Sequence, residues 1–200
     1  MAANILPPLR ITSGIPAFDS GVLPPFIGTA TSSTNMSPYP TTLTQVAQLM
    51  CSSPERRQIF RGLLGYRKAL ANVGLTSGVQ WLCGSFTEQI EVLESRHPND
   101  VDVVTFVHRP APCVNNPAAW AGFFAAHQHL LLPQMVKQNF HCDAQMVDLS
   151  TPVLNVVNLT RFWFGLFSHR RNRLWKGILQ VPLPVSQDDI DAAMIVGNAP

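Results

Sequence analysis

Two hundred residues are enough for a single domain with a sizeable core, and nothing in the composition asks for a second one. Hydrophobic residues make up 46% of the chain and charged residues 13%, against roughly a quarter charged in an average domain, so each charge in an apolar setting carries weight. A net charge of +2 is too small to argue by itself for a nucleic-acid partner, which needs many lysines and arginines on one face.

Residues 1–40 hold seven of the seventeen prolines and, with Gly14, Gly21 and Gly28, read as an extended arm without regular helix. Its apolar residues, Ile5, Leu6, Ile15, Phe18, Val22, Leu23, Phe26 and Ile27, predict that it wraps a folded body or a partner. The polar stretch 29–37 is its looser part. A folded body over 41–185 and a C-terminal tail over 186–200 complete the division.

Helical pattern runs from Thr42 to Met50 and restarts at Ser53-Pro54-Glu55, a serine cap with proline at the first helical position. Ile59, Leu63, Tyr66, Leu70 and Val73 then repeat every three or four residues up to the stop at Gly74. A short buried strand at 79–83 leads into a helix over 85–96, whose Glu88, Glu91 and Glu94 are expected to face water. A valine-rich strand follows at 100–108, then a helix over 117–137 that Pro133 should kink or end. A third strand falls at 140–149, a helix at 153–167 and a last strand at 178–183. Phe162-Trp163-Phe164 reads as core. Strands alternating with helices predict an α/β or α+β domain with a small mixed sheet flanked by helices.

Cys51, Cys83, Cys113 and Cys142 lie about thirty residues apart without paired spacing, which argues against a cysteine zinc site and fits reduced core thiols in a cytoplasm. The N-terminus has no signal-peptide pattern and no stretch reaches the ~18 apolar residues of a membrane span, so a soluble protein without a membrane partner is expected.

Chemistry concentrates where Trp81-Leu82-Cys83 runs into Gly84-Ser85 and where Asn99 leads into Asp100-Val101-Asp102. On a strand Asp100 and Asp102 project together while Val101 and Val103 pack on the other side. Two such carboxylates raise one another's pKa unless a cation is present, and Mg²⁺ accepts oxygen ligands readily. Gly84 lets backbone approach a ligand, and Ser85 offers a hydroxyl and the first-turn amides of a helix to a phosphate. Taken singly, Asp-x-Asp also reads as a solvated strand end and Gly-Ser as a capped turn; their order along the chain joins them into one site. His169-Arg170-Arg171-Asn172-Arg173 with Lys176 is the main basic patch, readable as a solvated loop or as a contact to a triphosphate or an acidic acceptor such as RNA. His127 and His129 flank Gln128 and read as packing or surface residues.

The order strand, Gly84-Ser85, helix, strand with Asp100-Val101-Asp102 resembles the nucleotidyltransferase superfamily with the DNA polymerase β type of catalytic core. Ile15-Pro16-Ala17-Phe18, Gly21-Val22-Leu23-Pro24-Pro25, the helix with Arg67 and Trp175-Lys176-Gly177-Ile178 look like small bacterial proteins placed in that superfamily. The resemblance implies that Gly84 and Ser85 hold a nucleoside triphosphate and that Asp100 and Asp102 bind Mg²⁺ or Mn²⁺; Lys176, from the basic patch, joins Gly84 and Ser85 as a nucleotide-binding candidate. It also implies a third acid on a later strand; Asp143 is the candidate and Asp148 the fallback. The activity implied is transfer of a nucleoside monophosphate to a protein or RNA acceptor, possible settings being toxin-antitoxin or phage-defence systems. A catalytically inactive nucleotide-binding or partner-binding module of the same fold is the rival. Fourteen residues separate Ser85 from Asp100, slightly long for the superfamily, and the oligomeric state stays open.

Overall fold

The computed structural model describes residues 14–197. Ile5, Leu6 and the rest of 1–13, together with 198–200 of the expected tail, lie outside the described residues. Among those described, five strands form one mixed sheet in the order β1-β5-β2-β3-β4. These are β1 (Tyr39–Pro40), β2 (Gly78–Cys83), β3 (Val101–Val107), β4 (Cys142–Asp148) and β5 (Leu179–Pro182). β2 runs antiparallel to β3 and β5, while the β3/β4 and β1/β5 pairs are parallel. The helices around the sheet are α1 (Leu43–Met50), α2 (Pro54–Asn72), α3 (Ile90–Glu94), α4 (Pro117–Ala126), α5 (Gln128–Leu131), α6 (Pro133–Phe140), α7 (Val153–Phe167) and α8 (Gln187–Gly197). The α/β architecture, a small mixed sheet flanked by helices, is as the alternation of patterns predicted.

Side chains alternate across the strands and feed two apolar layers. Leu82, Val101, Val103 and Ala144 pack with Leu43, Val46, Ile59, Phe60 and Leu63 of α1 and α2. Trp81, Cys83, Val104, Phe106 and Val147 point the other way, under Trp163, Phe164 and Phe167 of α7. Asp102, between Val101 and Val103, therefore projects on the α7 face.

Local chemistry starts the helices where sequence places them. Thr42 and Gln45 form a reciprocal capping box on α1, and Asp188 adds its carboxylate, accepting from the amides of Leu43 at 2.6 Å and Thr44 at 3.0 Å. Ser53 accepts from Arg56 N to cap α2, with Pro54 in the first turn.

Several expectations are corrected. The helix expected over 85–96 is a 3-10 turn at Ser85–Thr87 followed by the five-residue α3, because Glu88 is extended and held by the arm, with Gln89 N donating to Gly21 O at 2.8 Å. The helix expected over 117–137 is three, α4 to α6, broken at His127 and at Leu132, where Pro133 opens a new first turn. Part of the tail expected over 186–200 is α8, whose Asp189 pairs with Arg67 of α2 at 2.7 Å. Phe162, expected in the core, is 55% exposed on α7.

The described part of the arm lies on the body. Val22 and Leu23 are buried, Gly177 N donates to Leu23 O at 2.6 Å, and Tyr39 Oη donates to Pro24 O at 2.7 Å. All four cysteines are buried and free. No helix of the described residues is long and apolar enough to cross a membrane.

Candidate functional site

The end of β2 and the beginnings of β3 and β4 meet at one edge of the α7 face. Register places Cys83 opposite Asp102 and Asp102 beside Asp143, so the two aspartates stand on adjacent parallel strands, about 4.8 Å apart along the hydrogen-bonding direction. Gly84 follows with φ +79°, and a Cβ there would fall 1.8 Å from Asp102 Oδ2. The turn passes this close to the carboxylate because Gly84 has no side chain.

Asp100 joins the group through Lys137, which α6 carries over the start of β4. Lys137 Nζ lies 2.6 Å from Asp100 Oδ2 and 3.0 Å from Asp143 Oδ2. Burial, then the charges of Asp100 and Asp143, pushes the Asp102 carboxyl up to about 6, against the opposing pull of Lys176 and Lys137. Hydrogen bonds from Lys137 to Asp100 and Asp143 hold its ammonium above the ordinary lysine range. The structure thus brings Asp100, Asp102 and Asp143 into one electrostatic unit. Among the described residues, no three His, Cys, Asp or Glu side chains are gathered tightly enough to ligate one ion as they stand. The placement of Lys137 agrees with this, since two of the three carboxylates turn to its ammonium.

A cleft of about 610 Å³ opens beside Asp102, lined by Gly84, Ser85, Glu88, Asp102, Arg170 and Lys176 among others, while Asp100 and Asp143 lie outside its lining. Lys176, the third sequence candidate for a triphosphate, is 5% exposed on the cleft wall. Its Nζ donates to Glu88 Oε1 at 2.6 Å, with Gly84 O at 3.4 Å. Burial opposes this charge, but Cys83, Glu88 and Asp102 favour it and together raise the lysine's pKa. Glu88 also pairs with Arg170 Nε at 3.0 Å.

Of the three glutamates expected to face water, Glu88 is corrected, and Glu91 is one-third exposed and turned to an arginine. Glu88 is 4% exposed and carries two cations of the cleft, and Glu91 accepts from Arg56 Nε and Nη2, each at 2.7 Å. Arg56 also donates to Phe86 O at 2.7 Å and Glu88 O at 2.6 Å, fixing the turn that follows Ser85. The basic patch lies along the cleft: Lys176 is buried in its wall, Arg170 pairs with Glu88, and His169, the exposed Arg171 and Asn172 also line it, whereas Arg173 is exposed outside it. Asp148, the fallback acid, sits at the far end of β4, where Arg109 Nε binds it at 2.6 Å, away from the other aspartates.

Sequence reading passed over Lys137, Glu88, Arg170 as an individual residue, and Arg56. A signal existed for Lys137: it is one of three lysines in the chain and stands six residues before Asp143.

Over residues 16–182 the chain matches the family described as "Family of unknown function (DUF6932)". No curated protein and no solved structure matches it. With most of its length inside that match, the chain belongs to the DUF6932 family.

Proposed function

We propose that this chain is a Mg²⁺-dependent nucleotidyltransferase, moving a nucleoside monophosphate from a nucleoside triphosphate to a protein or RNA acceptor. The observation that carries the reading is the close approach of Gly84 to Asp102, with Asp143 beside it in register. That arrangement puts a side-chain-free turn, open to a phosphate, against clustered carboxylates.

The residues fit a hard divalent ion. All three side chains offer carboxylate oxygens, the ligands Mg²⁺ and Mn²⁺ take. Asp100, Asp102 and Asp143 would hold the ion. Bound there, it would neutralise phosphate oxygens and lower the pKa of an acceptor hydroxyl.

The remaining work falls to the chain itself. Lys176 and Arg170 supply the positive charge for a triphosphate, which would take over contacts now made by Glu88. Arg56 fixes the Phe86–Glu88 turn, so Gly84 and Ser85 are positioned before substrate arrives. The five-residue α3 and the 3-10 turn before it contribute little dipole, so side-chain cations carry phosphate binding.

One observation favours the rival, a partner-binding module. α7 exposes Val153, Leu154, Val157, Phe162 and Leu166, an apolar surface suited to another protein. Incubation with labelled nucleoside triphosphates, Mg²⁺ and cell lysate separates the two readings. Labelling of an acceptor that disappears in Asp100→Ala with Asp102→Ala supports the transferase. Labelling that survives the double change removes these residues from the chemistry, and absent calorimetric binding of every common triphosphate favours the partner module.

A further inference from the structure

The cation between the aspartates is already a side chain. We propose that Lys137 is the resident counter-ion of the carboxylate cluster and that a divalent ion enters by displacing it. This rests on reading the cluster as a metal site.

Three features support the exchange. The ammonium bridges Asp100 Oδ2 and Asp143 Oδ2 at 2.6 and 3.0 Å, so one positive charge joins the two carboxylates flanking Asp102. The Lys137 side chain is 51% exposed, so it can leave toward solvent without opening the core. Residue type is the third. Three ion pairs that fasten one segment to another use arginine, Arg56 with Glu91, Arg67 with Asp189, and Arg109 with Asp148, and the lysine that does so, Lys176 with Glu88, is buried where Lys137 is exposed. A planar guanidinium grips a carboxylate through two bonds, whereas an ammonium on a flexible stem is a compact point charge, closer to a metal ion in kind and more readily withdrawn.

The backbone aims it. His141, with φ +54°, turns the chain from α6 into β4, and its N–H donates to Lys137 O at 3.0 Å. Lys137 therefore hangs over the first residues of β4, above Asp143. In the metal-free protein it relieves the repulsion among three carboxylates. In the loaded protein it would be free to face solvent or an incoming phosphate.

The test is Mn²⁺ binding to the full-length, EDTA-treated protein, read by paramagnetic resonance of the free ion, with melting temperature as a second readout. Lys137→Met removes the charge and keeps the stem, Lys137→Arg keeps the charge, and Asp102→Asn removes a proposed ligand. The expected result is Mn²⁺ binding about tenfold tighter or more in Lys137→Met than in the wild type, and no tighter in Lys137→Arg. Lys137→Met should also melt lower than wild type in EDTA and regain more than wild type when Mn²⁺ is added. Equal or weaker Mn²⁺ binding in Lys137→Met, with the wild type binding and Asp102→Asn not, overturns the role of Lys137 and leaves the metal site standing. Failure of both wild type and Lys137→Met to bind overturns both.

Discussion

Gly84 stands against the carboxylate of Asp102 so closely that a Cβ at that position would fall 1.8 Å from Oδ2. Gly84→Ala must therefore push Asp102 aside, and it places an alanine at φ +79° and ψ −165°, a conformation essentially reserved for glycine that costs about 1–3 kcal/mol. The expected outcome is a modest loss of urea stability together with a loss of nucleotide transfer of at least about 100-fold, far more than the stability change alone would produce. Equal activity in wild type and variant would separate the turn from the chemistry.

Lys176→Met tests the other wall of the cleft. Removing the ammonium leaves Glu88 paired with Arg170 and takes away a buried charge from the wall of the cleft proposed to hold a triphosphate. Triphosphate affinity should fall by about tenfold to a hundredfold, the loss expected for one or two charge-assisted hydrogen bonds, when measured by calorimetry in Mg²⁺.

The Arg56–Glu91 pair predicts a pH dependence of stability. Hydrogen bonds from Arg56 hold the Glu91 carboxyl down to about 2 in the folded chain, against an ordinary value of 4.5. Because the folded value is the lower one, the stabilisation is fully present above about pH 4.5 and drains away as pH falls toward 2. Urea midpoints measured from pH 6 to 2 should show this decline in the wild type. In Glu91→Gln the curve should start lower and be flatter over the same window.

Asp189→Ala should be among the most damaging changes far from the cleft. Arg67 is 1% exposed and its guanidinium is satisfied by Asp189 and by Gln80 Oε1, so losing the carboxylate strands a buried charge. A destabilisation of about 3–5 kcal/mol is expected in urea unfolding. Replacing both partners, Arg67→Met with Asp189→Ala, should recover part of it.

These cases mark how far the sequence could be read. β2, β3 and β4 follow from apolar runs with clear bounds, and Asp100, Asp102 and Asp143 from their places in them, because strand alternation is local information. Glu88 was not legible. Three residues before Glu91 and six before Glu94, it looks like part of a solvated helical face, and what buries it is Lys176, 88 positions away, and the arm at Gly21-Val22. α8 was missed for a related reason: its buried positions, Asp189, Ala192 and Val196, are one acid and two small residues, so its helical stripe is faint until Arg67 supplies the partner. Lys137 needed the turn at His141 to bring it over β4, which no periodicity in the sequence announces.

The strand order sets the timetable by which this site can come into being. β5 is the last strand in the chain, yet it lies between β1 and β2 and supplies the pairing of β1. A ribosome delivers β1 to β4 first, so a growing chain presents an unfilled edge on β2 until residues 179–182 emerge. Lys176 emerges just ahead of that strand, and Gly177, which binds the arm at Leu23, lies between them. The cleft wall and the sheet are thus completed in one late step, and a nascent chain holding all three aspartates is still without the lysine that lines the cleft beside Asp102.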